Sequence, residues 1–150
     1  KASGRKMTSA GAVQDMTGRL EKGKTYQVSA AVRYNVSENP GATGQTKFFM
    51  SIIYGDGKIE NMASVTTAGD KWAVIDGKYT VPAGADLSSV RVFIETAYKA
   101  DPAAQDLVSF FVDDVSIKKT AEPIFRHIQQ TGQMPRCSRS RKHLRQISLV

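Results

Sequence analysis

A single cysteine, Cys137, stands in the 150 residues, which excludes an intrachain disulfide and any cysteine-built zinc cluster. No histidine precedes His127, and there is no Gly-x-Ser-x-Gly elbow, no phosphate-binding glycine loop and no His-Glu-x-x-His pair. Hydrolase, nucleotide-dependent and zinc-protease chemistries therefore lack their usual side chains. The first 120 residues hold 13 Asp and Glu. Some close carboxylate pair is then unavoidable, so the paired-acid signal of a glycosidase carries no weight, and intrinsic catalysis is not expected. No apolar run approaches the ~18 residues of a membrane helix, and no membrane partner is expected. The chain starts at Lys1 with no charged-then-apolar leader, so it reads as a piece of something longer.

Basic charge is plentiful but uneven. Residues 1–120 carry 15 Lys and Arg against 13 acids, a net of +2, whereas residues 121–150 carry six basic residues against Glu122 alone, a net of +5. A boundary near Ala121-Glu122-Pro123 separates a domain over residues 1–120 from a basic tail over residues 121–150. Pro123 and Pro135 interrupt the tail, and its apolar residues are too sparse for a core. A largely unstructured appendage is expected, with short helices over residues 125–130 or 142–149 as its candidates. The run from Arg136 to Arg145 would attract a phosphate backbone but offers no aromatic ring for a base to stack on.

What the first 120 residues have is alternation. Tyr26, Val28, Ala30, Val32 and Tyr34 share one side of a strand, with Gln27, Ser29, Ala31 and Arg33 on the other. The pattern predicts strands over residues 26–34, 48–54, 59–65, 71–81, 90–97 and 108–118. Turn residues separate them, among them Asn39-Pro40-Gly41, Gly55-Asp56-Gly57 and Pro82-Ala83-Gly84. Short strands with a turn every ten residues or so make an all-β antiparallel sandwich or barrel. Parity sets Phe93 and Glu95 on the face opposite Val92 and Ile94, either as a ring beside an acid or as ordinary core and surface. It sets Phe49, Ser51 and Ile53 on the outer side of their strand. In the last strand it groups Asp113 with Phe111, Val115 and Ile117, an inward register on which an acid needs a partner.

The order Gly4-Arg5, then Asp15-Met16-Thr17-Gly18-Arg19-Leu20-Glu21-Lys22-Gly23-Lys24-Thr25-Tyr26-Gln27-Val28-Ser29-Ala30, then Trp72 with Gly77-Lys78-Tyr79-Thr80-Val81-Pro82, resembles a carbohydrate-binding module. Val92-Phe93-Ile94-Glu95 and Phe110-Phe111-Val112-Asp113-Asp114-Val115-Ser116-Ile117 complete the likeness, which is to the family 22 modules of family 10 xylanases, within the group of families 4 and 9. The resemblance covers residues 1–119 and implies a jelly-roll β-sandwich that binds xylan or a related β-glycan. It implies a secreted, extracellular place and a covalently linked catalytic domain, an endo-1,4-β-xylanase, that the module targets or stabilises. It also implies that a strand and half of another, which open the module in relatives, are lacking before Gly4.

Site residues follow by position. Phe93 and Glu95 match the family's ring and carboxylate, Arg5 its groove arginine, and Ala31 a place where relatives carry tryptophan, as they often carry tyrosine near Glu60-Asn61. The resemblance puts a structural calcium at Asp113, incomplete without the opening strand. Trp72, Tyr54 and Tyr79 are expected to pack in the core. Two further readings stand beside xylan binding: a spacer or stabiliser whose sugar site is lost, and a basic-tailed binder of nucleic acid or anionic surfaces. Residues after about Ile124 do not resemble the catalytic barrel and are expected to be a disrupted or out-of-frame continuation.

Overall fold

The computed structural model describes residues 1–121, and the expectations for the tail lie outside the described residues. Seven strands form: β1 (Ala12–Asp15), β2 (Thr25–Tyr34), β3 (Thr46–Ile53), β4 (Ile59–Thr67), β5 (Ala73–Thr80), β6 (Arg91–Thr96) and β7 (Phe110–Lys119). They make two antiparallel sheets, β1-β6-β3-β4 and β5-β2-β7, packed as the expected jelly-roll sandwich. All strands but β1 lie where alternation puts them, with ends shifted by one or two residues. The four residues of β1 are too few to show a period.

Alternation explains the core, because apolar residues two apart bury one face of each sheet. Val28, Ala30, Val32 and Tyr34 of β2 meet Phe48, Met50 and Ile52 of β3 and Val92 and Ile94 of β6. Phe48 and Phe110 pack edge to face with centroids 5.0 Å apart, and both are fully buried. Cutting either to alanine would cost about 3–5 kcal/mol.

The sandwich is closed along one side and open along the other. On the closed side β4 and β5 approach so tightly that a Cβ at Gly77 would lie 3.0 Å from that of Ala63. The same side is pinned by Tyr54 and Tyr79, buried as expected, whose hydroxyl oxygens lie 2.6 Å apart; Tyr79 also donates to Glu60 at 2.5 Å. On the open side, between the edge strands β1 and β7, runs a cleft of about 390 Å³ lined by Met16, Val92, Ile94, Val112, Val115 and Ile117 among others.

Two expectations are corrected. Asp114 adopts φ +49° and the β2–β7 register slips between Ser29 and Ala31. Phe111 and Asp113 pair with the outward residues Arg33 and Ala31, whereas Val112, Val115 and Ile117 turn to the cleft. Asp113 therefore does not share an inward face with Val115 and Ile117; a bulge reverses parity, and a straight count along the strand cannot show it. Trp72, expected in the core, is 48% exposed. Ile75 and Tyr79 of β5 face inward, so Trp72 falls with Val74 on the outward parity.

Candidate functional site

The outer face of the four-stranded sheet gathers the residues whose chemistry suits a sugar. Cross-strand register puts Val13 (β1), Phe93 (β6), Ser51 (β3) and Asn61 (β4) in one transverse row. Asp15, Arg91, Ile53 and Ile59 form the next row, and Glu95, Phe49 and Ser64 the row on the other side. Adjacent strands lie ~4.8 Å apart, so a row of four spans roughly 15 Å. Phe93 is half-buried and shares a depression of about 400 Å³ with Val13, Ile53, Ile59 and Arg91.

Local irregularities build this face. Met50 pairs with Ala63 but Ser51 pairs with Asn61, so Met62 is the extra residue of a bulge; it turns inward and leaves Asn61 outside. Just ahead of β1 the backbone presses on β6: a Cβ at Gly11 would fall 1.7 Å from the Ile94 carbonyl oxygen, so only glycine fits.

Glu95 is half-buried beside Phe93. Its Oε1 accepts a hydrogen bond of 2.7 Å from the Ser51 hydroxyl, and Ser51 Oγ is also 2.9 Å from Asn61 Oδ1. Loss of water raises the Glu95 carboxyl above the ordinary glutamate value; the Ser51 hydrogen bond and the positive charge of Arg5 oppose that rise without cancelling it.

Arg5 is corrected as a sugar ligand. It is buried, and its Nε donates to the Ala10 carbonyl. Nη1 donates to the carbonyls of Asp106 (3.3 Å) and Val108 (3.0 Å), and Nη2 to the Thr8 carbonyl and to Thr96 Oγ1 (2.8 Å). A guanidinium has five N–H donors, and all five are committed. Arg5 clamps the opening segment to the β6–β7 connection, with its guanidinium 5.0 Å from the Phe110 ring centre.

Ala31 is corrected too. It faces outward as its parity requires, but on β2, in the other sheet, opposite Val74 and Asp113. The whole core lies between it and Phe93. Asp113 is exposed there, and its Oδ1 accepts from the Asp114 backbone N–H at 2.9 Å. Calcium takes six or more oxygens. Among the described residues no group of three or more Asp, Glu, His or Cys is placed to hold a metal, so a calcium at Asp113 would have to draw most of its oxygens from backbone carbonyls. Ser51 and Asn61 were not singled out from sequence. Parity puts Ser51 outside, and the resemblance puts a tyrosine of relatives near Glu60-Asn61, but alternation does not say which strands are neighbours.

The fold and sequence have counterparts among known proteins. Endo-1,4-beta-xylanase A of Thermotoga maritima is 29% identical over 112 residues, 73% of this chain and 10% of that enzyme, so the chain spans about a tenth of the relative's length. The CBM22-2 xylan-binding domain of Paenibacillus barcinonensis Xyn10C superposes with a TM-score of 0.64 at 27% identity, covering 79% of this chain and 76% of that one. The CBM22-1–GH10 modules of Clostridium thermocellum xylanase 10B, solved with xylohexaose, superpose at 0.60 and 25% identity, over 78% of this chain and 21% of that one. Residues 1–104 match the family described as carbohydrate binding domain. With more than two-thirds of its length matched, the chain belongs to the carbohydrate-binding domain family, and it resembles the family 22 modules of family 10 xylanases.

Proposed function

We propose that this chain is a non-catalytic module that binds xylan or xylo-oligosaccharide on the outer face of the four-stranded sheet and directs an attached xylanase to it. The observation that carries the reading is Phe93, a half-exposed ring two residues from the half-buried acceptor Glu95. The C–H face of a pyranose stacks on the ring while its hydroxyls donate to the carboxylate. A polymeric ligand is met outside the cell, which makes the module's place extracellular. Attachment to a catalytic domain is supported by the xylanase relative, of which the matched residues make up only a tenth.

Calorimetric titration with xylohexaose tests this. Wild type should bind, and Phe93→Ala should abolish binding without unfolding the domain. Absence of heat with folded wild type would overturn it in favour of a spacer that has lost its sugar site. That second reading is favoured by Arg5, which has no donor left, and by Ala31, which stands on the wrong sheet to replace a stacking ring.

A further inference from the structure

Ser51 has one hydroxyl proton and two oxygen neighbours. Its Oγ lies 2.7 Å from Glu95 Oε1 and 2.9 Å from Asn61 Oδ1, and the residue is fully buried. A hydroxyl donates once, and a carboxylate is the stronger acceptor, so the proton belongs to Glu95. Asn61 Oδ1 would then face a second acceptor. Half a turn of the exposed amide removes the conflict, since amide oxygen and nitrogen are assigned from their partners. Asn61 Nδ2 then donates to Ser51 Oγ, and Asn61 Oδ1 turns to the open face.

We infer that Ser51 and Asn61 are positioning residues of the sugar site: a one-way chain from the Asn61 amide through the Ser51 hydroxyl holds Glu95 as an acceptor and restricts this place to a neutral sugar with free hydroxyls. The inference rests on the sugar-binding reading above. Both ends of the chain, the free oxygen of Glu95 and Oδ1 of Asn61, offer the ligand acceptors. A sugar hydroxyl can donate to either, whereas the carboxylate of a uronic acid meets acceptors and like charge. The charged groups around Glu95 are few. Arg5 faces it from the opening segment with its donors committed, and Lys47 of β3 lies over Phe49, its Nζ 4.8 Å from the ring centre. Arg91 is on the same strand, and Asp15 of β1 stands opposite Arg91.

Asn61→Asp is the test, at an exposed position where the fold should tolerate it. Two carboxylates then claim the one Ser51 proton, so one of them takes up a proton at higher pH than Glu95 does in wild type. Relative to wild type, xylohexaose affinity should fall about tenfold near pH 8, the size of one charge-assisted hydrogen bond, and recover near pH 5. Ser51→Ala should lose a similar factor at both pH values, with thermal melts confirming that it is folded. A galacturonic acid hexamer should not compete with xylohexaose on wild type. Wild-type binding with an unchanged affinity and pH profile in Asn61→Asp would overturn the positioning role alone. A wild type that binds no xylohexaose would overturn it together with the sugar-binding reading.

Discussion

Arg5 shows how far one residue can be read from its position. The Gly-Arg pair marks a match to a binding-groove arginine, yet a guanidinium acts through its donors, and here the backbone carbonyls of Thr8, Ala10, Asp106 and Val108, with the Thr96 hydroxyl, take them all. Arg5→Met should therefore act on stability. It strips buried carbonyls of their partners and should cost about 2–4 kcal/mol in chemical denaturation, while the folded fraction binds xylohexaose as wild type does. Loss of affinity with unchanged stability would return Arg5 to the sugar site. The outward side of Phe93 and Glu95 was legible, because alternation alone separates them from Val92 and Ile94. Ala31 was half legible: its outward parity is right, but parity is a property of one strand and says nothing about the sheet that strand joins.

At the scale of strands, period two reports where the backbone is extended and fails where the ladder slips. β2, β3 and β6 alternate without interruption along their buried faces, so their core residues were legible one by one. β7 was misread on one side of its bulge: Asp114 at φ +49° breaks the parity, so Val115 and Ile117 face the cleft as counted while Phe111 and Asp113 turn outward. Aspartate tolerates that left-handed conformation better than most residues, and a β-branched side chain tolerates it badly. Asp114→Val should thus lower stability by about 1–2 kcal/mol, and Asp114→Gly should leave it equal or slightly higher. The bulge puts Val115 and Ile117 against the cleft, so the penalty is expected in the folding equilibrium rather than in sugar affinity. Equal stability of the valine and glycine variants would mean that this strand pairs without the bulge.

Across the whole molecule, the carboxylates pull stability in two directions with pH. Glu60 is held below its ordinary range by Lys58 and by the Tyr79 hydroxyl, so its contribution is present above that range and lost as pH falls. Glu95 is the opposite case. Burial raises its carboxyl, so folding favours the protonated form; that contribution is present below the ordinary glutamate value and lost as pH rises past the folded one. At neutral pH the fold therefore holds a partly desolvated charge at a stability cost, two residues from the Phe93 ring, where a sugar hydroxyl would find a strong acceptor. Glu95→Gln removes the charge and keeps an oxygen for the Ser51 hydroxyl. The variant should melt higher than wild type near neutral pH, and the gap should close as pH falls through the carboxylate range, where wild type is protonated too. Its xylohexaose affinity should drop, because a neutral amide accepts less strongly than a carboxylate. Melting curves and titrations at several pH values read both effects from one variant. A lower melting temperature at neutral pH, or a gap that stays constant as pH falls, would show that Glu95 stabilises the fold as an anion and that the cost lies elsewhere.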